Sequence, residues 1–164
     1  MKVVADSSTL IILARIHRFG LLRELYGSVT ISEDVYREVV MRGAGLLGSK
    51  EVSEASWIET IPLSNAADVA SACQRLGLGA GEASTILLAQ QFHGDLVLMD
   101  DLQGRKRARE AGLNVQGSVA LLESAFLKNL LPDLRQAFRD LLESSYIDRQ
   151  ILNARLQSLK LPPL

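Results

Sequence analysis

The chain has 164 residues, a formal net charge of −1 and 48% hydrophobic residues, which excludes a disordered, fibrous or collagen-like protein. This length suits one well-buried domain better than two. Its single cysteine, Cys73, excludes an internal disulfide and a cysteine-based metal cluster, and is typical of a reducing cytoplasm. Because no apolar run reaches the length of a membrane span and the N-terminus lacks a secretory signal, we expect a cytoplasmic protein.

Short apolar segments alternate with helical patterns along most of the chain. Strands are predicted at residues 2–5, 29–31, 57–62 and 96–99 and near 115, and helices at 9–16, 19–26, 33–41, 66–76, 82–92, 102–111 and 118–127. Such βα units predict a three-layer α/β/α fold with a central, mostly parallel sheet of about five strands. Pro62 places the third strand at an edge of the sheet.

The last part of the chain adds helices and no strand. Helices are predicted at 133–142 and 148–159, with a break at about 144–146. We therefore expect one domain over residues 1–164, with a core over about 1–127 and a C-terminal helical extension over about 132–160. The loop at 42–50 contains three glycines and is either a mobile gate or a variable connection.

Two adjacent carboxylates follow the most apolar strand. Leu96–Met99 is typical of a strand buried on both faces of a parallel sheet, and Asp100 and Asp101 come directly after it. In open α/β sheets, ligands bind beyond the carboxyl ends of the strands. Charge placed there is costly unless water, a hydrogen-bond donor or a cation receives it. The pair therefore indicates part of a cation site.

Three other acids have related positions. Asp6 ends the first strand, and its carboxylate would lie about 5 Å from the Asp100–Asp101 strand if the two strands are neighbours. Glu82 is in the first turn of the helix before that strand, and Glu38 lies on or beside the buried stripe of the helix after strand two. Together the five acids predict one site.

Each acid also has a simpler explanation. Asp6 could cap the helix that follows it, and Glu82 is favoured near a helix start by the helix dipole. Glu38 could pair with Arg42, four residues later. Asp100 and Asp101 are harder to explain in this way, because consecutive carboxylates at the end of a buried strand repel each other.

The type of ligand indicates the metal and the chemistry. Clustered carboxylates without Cys or a suitably placed His favour Mg²⁺ or Mn²⁺ over zinc. Such a site can polarise a phosphoryl oxygen and activate a water for in-line attack. A basic run at 105–109 follows the Asp pair, which suits a phosphodiester substrate, although a solvated helix face explains that run equally well.

Four short motifs in this order resemble the PIN domain, and in particular its branch of small prokaryotic proteins. The motifs are Val-Ala-Asp6-Ser-Ser8, Asp34-Val-Tyr-Arg-Glu38-Val, Gly79-Ala-Gly81-Glu82-Ala and Leu-Met-Asp100-Asp101-Leu-Gln-Gly-Arg105. The resemblance covers about residues 1–127, and the closing helices are also similar. It implies a metal-dependent ribonuclease, often the toxin of a type II toxin–antitoxin pair.

The resemblance also implies roles for individual residues. Mg²⁺ or Mn²⁺ would be held by Asp6, Glu38, Glu82 and an aspartate of the Asp100–Asp101 pair. Many members have Thr-x-Asp where this chain has Met99-Asp100-Asp101, so the direct ligand of the pair is left open, and many have Asp where Glu82 stands. Ser8 would support a metal-bound water or a phosphate, and Arg105 is the candidate for a phosphate contact.

The leading hypothesis is thus a Mg²⁺- or Mn²⁺-dependent endoribonuclease, acting on single-stranded RNA and held inactive by a small antitoxin. A homodimer is expected from the resemblance and from the excess of apolar helix surface. One alternative is a receiver-like signalling domain, which would need an Asp after strand three and a Lys after strand five; neither is present. The other alternative is a non-catalytic interaction module with the same fold.

Overall fold

A sheet of five parallel strands lies at the centre of the molecule, in the order β3-β2-β1-β4-β5. This is seen in a computed structural model, which describes residues 1–145 and 147–164. The strands are β1 (Val3–Ala5), β2 (Val29–Ser32), β3 (Ile58–Ile61), β4 (Leu96–Leu98) and β5 (Val115–Gln116). The first strand of the chain is therefore the central one, and β1 and β4 are neighbours, with Ala5 opposite Leu98. The predicted edge position of the third strand is confirmed.

Helices connect the strands and cover both faces of the sheet. They are α1 (Ser7–Arg15), α2 (Leu21–Tyr26), α3 (Glu33–Tyr36), α4 (Ser49–Glu54), α5 (Asp68–Leu76), α6 (Ala80–Phe92), α7 (Leu102–Glu110), α8 (Ser118–Leu127), α9 (Leu134–Ser144) and α10 (Arg149–Ser158). Helix α3 continues as a π-helix over Arg37–Arg42. No helix in the described residues is long and apolar enough to span a membrane.

The two faces of the sheet belong to two separate apolar clusters. In β1, Val3 and Ala5 pack into the larger cluster, with side chains from α1, α2, α8, α9 and α10. Val4 points the other way, into a smaller cluster with Ile86 of α6 and Ala108 of α7. This alternation follows from the two-residue period of a strand. The predicted three-layer α/β/α fold is confirmed.

The C-terminal helices are part of the larger cluster. Phe138 and Leu141 of α9 and Leu152 and Leu156 of α10 are fully buried in it. The predicted break between these helices includes Tyr146, which lies outside the described residues. Asp133 and Asp148, the predicted first residues of these helices, are their N-caps. Each accepts a hydrogen bond from a backbone N–H group.

Two boundaries near the expected site differ from the predicted ones. Helix α6 begins at Ala80, two residues earlier than predicted, so that Gly81 is inside the helix. The glycine-rich loop is shorter than expected, because the π-helix extends to Arg42 and α4 begins at Ser49. Glycine favours a turn, but at Gly81 tertiary packing holds the backbone helical. The three glycines of the loop do lie between the π-helix and α4.

Candidate active site

Asp6 lies at the C-terminal end of the central strand and is fully buried. It is the N-cap of α1, because its carboxylate accepts a hydrogen bond from the Ser8 N–H. The Ser8 hydroxyl donates to Oδ2 of Asp6 at 2.7 Å. The simpler explanation of Asp6 as a helix cap is therefore correct, but capping alone does not require a buried carboxylate, since most caps are exposed to water.

Burial raises the pKa of the Asp6 carboxyl from 3.8 to about 6. The hydrogen bond from Ser8 opposes this shift, and the nearby negative charge of Glu82 adds to it. Asp6 and Glu82 are thus close enough in space to repel each other, although they are 76 positions apart in the sequence. Such a repulsion is relieved when a cation binds between the carboxylates.

Ser8 connects the end of β1 to the end of β4. Its hydroxyl accepts a hydrogen bond from the Asp100 N–H at 3.0 Å while it donates to Asp6. The Asp6 N–H in turn donates to the carbonyl of Leu98 at 2.9 Å. The backbone that carries Asp6 is therefore held in register with the backbone that carries Asp100 and Asp101.

The side chain of Asp100 points toward the start of α1 and α8. Its Oδ2 accepts a hydrogen bond from the Thr9 hydroxyl at 2.7 Å. Its Oδ1 accepts from the N–H of Ser118 at 2.8 Å and from the hydroxyl of Ser118 at 2.7 Å. Gly117 permits this approach, since a β-carbon there would lie 3.0 Å from Oδ1.

Asp101 has a different environment although it is the next residue. It is exposed and is the N-cap of α7, where its Oδ2 accepts from the Gly104 N–H at 2.6 Å. Gly104 also lies against Glu82: a β-carbon there would be 3.3 Å from both Oδ2 of Asp101 and Cγ of Glu82. Asp101 and Glu82 therefore both lie next to the same glycine.

Glu38 reaches the same region from the π-helix. A β-carbon at Gly81 would lie 2.5 Å from Oε2 and 2.8 Å from Oε1 of Glu38. Its carboxylate thus rests on the residue that precedes Glu82. The ion pair between Glu38 and Arg42 does not form, and Arg37 pairs with Asp34 instead, at 3.5 Å.

All five acids are therefore at the carboxyl end of the sheet, linked through shared neighbours. None of them forms a salt bridge with any residue that the structure describes. Within residues 1–145 and 147–164, however, no three His, Cys, Asp or Glu side chains are close enough together to hold a metal ion as they stand. In the described residues the five side chains are linked in pairs through shared neighbours and do not form a closed set of ligands.

The kind of ligand nevertheless fits Mg²⁺ or Mn²⁺. All five candidates are carboxylates, the oxygen donors that these cations prefer. Glu82 destabilises the buried charge of Asp6, and no basic residue in the described part of the chain pairs with it. A divalent cation would stabilise this charge.

The basic residues of α7 differ in their contacts. Arg107 is engaged by the carbonyl of Leu76 and by Glu110. Lys106 and Arg109 are exposed. Arg105 is half-buried, with its Nη1 beside Gly117 and close to Asp100, and its buried Nε has no hydrogen-bond partner in the described residues. Arg105 is thus the basic residue of α7 that lies next to Asp100.

Sequence reasoning did not identify Thr9 and Ser118 as partners of the acids. Both are fully buried polar residues. Ser118 was recognised only as the start of a helix, and the Gly117-Ser118 pair directly after a strand was the available signal. Gly81, Gly104 and Gly117 lie close to acid side chains. In the sequence, nothing except the glycines themselves indicates these contacts.

Comparisons with known proteins agree with the fold. The family model described as "DUF3368: PIN domain" matches residues 2–161. The structure is similar to the crystal structure of PAE2754 from Pyrobaculum aerophilum, with a TM-score of 0.56 and 14% sequence identity, over 76% of this chain and 96% of that one. No curated protein is significantly similar in sequence. Since the family model covers nearly the whole chain, this protein belongs to the PIN domain family, whose members are generally nucleases.

Proposed function

We propose that this protein is a Mg²⁺- or Mn²⁺-dependent endoribonuclease that hydrolyses single-stranded RNA. The observation that carries the proposal is Asp6: a fully buried carboxylate at the end of the central strand, close to Glu82 and without a basic partner among the described residues. A fold that needed only a helix cap would not keep such a charge in this position. A nuclease uses it to bind a cation.

The proposed metal ligands are Asp6, Glu38, Glu82, Asp100 and Asp101. Glu38 and Glu82 have long side chains, whose carboxylates can move while the helices that carry them stay in place. When bound, the cation would polarise a phosphoryl oxygen and lower the pKa of an attacking water. PIN domains usually bind divalent metal ions, which agrees with this assignment.

Other residues of the chain would orient these acids and the substrate. Ser8 holds Asp6 through its hydroxyl proton and keeps one oxygen lone pair free to accept a hydrogen bond from a water. Arg105 would contact a phosphate, and the exposed Lys106 and Arg109 would attract the RNA backbone. We propose single-stranded RNA because an acidic recess admits one strand more readily than a duplex.

A cleavage assay tests this proposal. Purified protein is incubated with end-labelled single-stranded RNA in Mn²⁺, in Mg²⁺ and in EDTA. We expect cleavage with either cation, none in EDTA, and none by Asp6→Asn under any condition. Asp133→Asn is the control, because Asp133 is an exposed helix cap far from the site, and it should cleave like the wild type. Cleavage that EDTA does not diminish would exclude the proposal.

A non-catalytic interaction module remains the second candidate, and one observation favours it: no three acids are within ligand distance of one another in the described residues. Calorimetry with Mn²⁺ separates the two candidates. A nuclease binds the cation and loses this binding in Asp6→Asn, whereas an interaction module does not bind it.

We further propose that the protein is the toxin of a type II pair, bound by a small antitoxin, and that it is a homodimer. The exposed apolar side chains of Met41, Leu46 and Leu47, which lie near each other in sequence, support a protein contact. Induction in a bacterial host should arrest growth for the wild type and not for Asp6→Asn. Light scattering should give twice the mass of the chain.

A further inference from the structure

The two aspartates after β4 differ in how many of their oxygen lone pairs are free. In Asp100, the N–H and hydroxyl of Ser118 occupy both lone pairs of Oδ1, and the Thr9 hydroxyl occupies one of Oδ2. One lone pair of Oδ2 is left. Asp101 accepts one hydrogen bond, from Gly104, and its Oδ1 accepts none from the described residues.

The partners of Asp100 come from two elements that are far apart in the sequence. Thr9 is in the first turn of α1, and Ser118 is the first residue of α8. Both side chains are fully buried, and the Thr9 hydroxyl makes its only hydrogen bond to a described residue with Asp100. A buried hydroxyl without a hydrogen-bond partner destabilises the folded chain. Thr9 and Ser118 are therefore favourable at their positions because Asp100 accepts hydrogen bonds from their hydroxyls.

Helix capping does not account for the whole arrangement. Gly117, the N-cap of α8, has no side chain, and Asp100 takes over by accepting from the Ser118 N–H. That role uses a single oxygen. The hydroxyls of Ser118 and Thr9 add a second and a third bond, one to each side of the carboxylate, which fixes its rotation as well as its position.

We propose that Thr9 and Ser118 are positioning residues that hold the Asp100 carboxylate in one orientation, so that it acts in the site through a single lone pair of Oδ2. This inference rests on the proposed nuclease function. The two aspartates would then have different roles. Asp100 would supply one contact in a fixed orientation, and the side chain of Asp101 would adjust to the cation and the RNA.

The test uses Thr9→Val and Ser118→Ala, which remove the hydroxyls and keep the approximate shape. Mn²⁺ affinity is measured by calorimetry and RNA cleavage by steady-state kinetics, well below the melting temperature of each variant. We expect each variant to lose about tenfold or more in Mn²⁺ affinity or in kcat, with the KM for RNA within about twofold. Thr9→Ser and Ser118→Thr keep a hydroxyl at these positions. They should therefore retain most of the Mn²⁺ affinity and kcat that Thr9→Val and Ser118→Ala lose.

A matched control lies in the same helix. Ser124 of α8 donates its hydroxyl to the carbonyl of Ala120 and does not contact the acids, so Ser124→Ala should bind Mn²⁺ and cleave like the wild type. Crystal structures of the Thr9→Val and Ser118→Ala variants should show the Asp100 carboxylate rotated or in two conformers.

The outcomes separate this inference from the proposed function. If the wild type cleaves and Thr9→Val and Ser118→Ala cleave and bind Mn²⁺ equally well, the positioning role is wrong and the nuclease stands. A lower melting temperature with unchanged kcat and affinity also refutes it, since the hydroxyls would then only stabilise the fold. If the wild type neither binds Mn²⁺ nor cleaves, the nuclease function and the positioning role are refuted together.

Discussion

Asp6 combines two roles that have opposite requirements. As the cap of α1 it stabilises the helix, and as a buried carboxylate next to Glu82 it destabilises the folded chain. Fully buried aspartates without a basic partner are rare in proteins. The balance between these roles depends on whether the carboxyl carries a proton, and it can be measured as a dependence of stability on pH.

We predict that Asp6→Asn becomes more stable relative to the wild type as the pH rises. An aspartate has an ordinary pKa of 3.8, and burial raises that of Asp6 to about 6 in the folded chain, so the folded state binds more protons between these values. The stability that the protonated carboxyl contributes is complete below pH 3.8 and is lost as the pH rises through about 6. Asparagine caps as well as aspartate but does not ionise.

Urea unfolding in EDTA, at pH 4 and at pH 7.5, measures this difference. From pH 4 to pH 7.5 the free energy of unfolding of Asp6→Asn should gain about 2 kcal/mol on that of the wild type. Asp133→Asn, at an exposed cap, should show almost no such gain. A gain at Asp133 as large as at Asp6, or no gain at Asp6, would contradict the assignment of burial as the cause.

At the scale of elements, irregular helical structure brings the acids to the site. The π-helix over Arg37–Arg42 turns Glu38 toward α6, where its carboxylate rests on Gly81. π-helical turns are rare overall, and those that occur are frequently found at functional sites. A glycine at this point of α6 lowers the intrinsic stability of the helix, so its presence is explained by the space that Glu38 needs.

Gly81→Ala should separate stability from activity. The added methyl group would collide with the carboxylate of Glu38, which is the mobile end of a long side chain, and not with backbone. We expect the melting temperature to stay the same or rise, because alanine in a helix is favoured over glycine by about 0.5–1 kcal/mol. RNA cleavage should fall by about tenfold or more, since the displaced carboxylate no longer lies at the site.

Gly20→Ala provides the comparison for this variant. A methyl group at Gly20 would have only Oε1 of Glu24 as a neighbour, at 3.9 Å, and α2 does not contribute to the site. Both melting temperature and cleavage should therefore be close to those of the wild type. If Gly81→Ala cleaves RNA as well as Gly20→Ala does, Glu38 has no role in the site.

The elements were largely predictable, and the details of the site were not. Apolar runs that end in Asp6 and in Asp100-Asp101 are local patterns, and they were sufficient to predict a parallel sheet with acids at one edge. The bonds from Thr9 and Ser118 to Asp100 join segments about ninety residues and about twenty residues away, which no local pattern reports. The π-helix packs against α1 and α4. A periodicity analysis of residues 33–41 does not detect such contacts and predicts an ordinary helix.

At the scale of the whole molecule, the C-terminal helices and the sheet share one apolar cluster. Arg155 of α10 also forms two hydrogen bonds, both 2.6 Å long, with the buried carboxylate of Glu123 in α8. Helix α8 begins at Ser118, whose hydroxyl donates a hydrogen bond to Asp100. We therefore propose that residues 1–164 form a single cooperative domain, in which the C-terminal extension supports the helix next to the site.

Arg155→Met tests this cooperation. Removing Arg155 leaves the buried carboxylate of Glu123 without compensation. Because Arg155 itself is half-exposed, we expect a loss of about 2 kcal/mol in the free energy of unfolding. Thermal unfolding should remain a single transition at a lower temperature. Adding Glu123→Gln to Arg155→Met should restore part of the loss, because the uncompensated charge is then absent.

The corresponding control is Arg37→Met, which removes an exposed ion pair with Asp34. Its cost should stay below about 0.5 kcal/mol. Two separate transitions in Arg155→Met would show that the C-terminal helices unfold independently, and the proposal of a single domain would be wrong.

The central place of β1 also determines when, during synthesis, the protein can become active. Within this chain β1 is translated before β4, one of its two neighbouring strands, and about ninety residues lie between them. Asp6 therefore cannot meet Asp100 and Asp101 on a nascent chain until the segment that carries β4 has been made. The nuclease proposed above would stay inactive toward the message that encodes it until that point of translation.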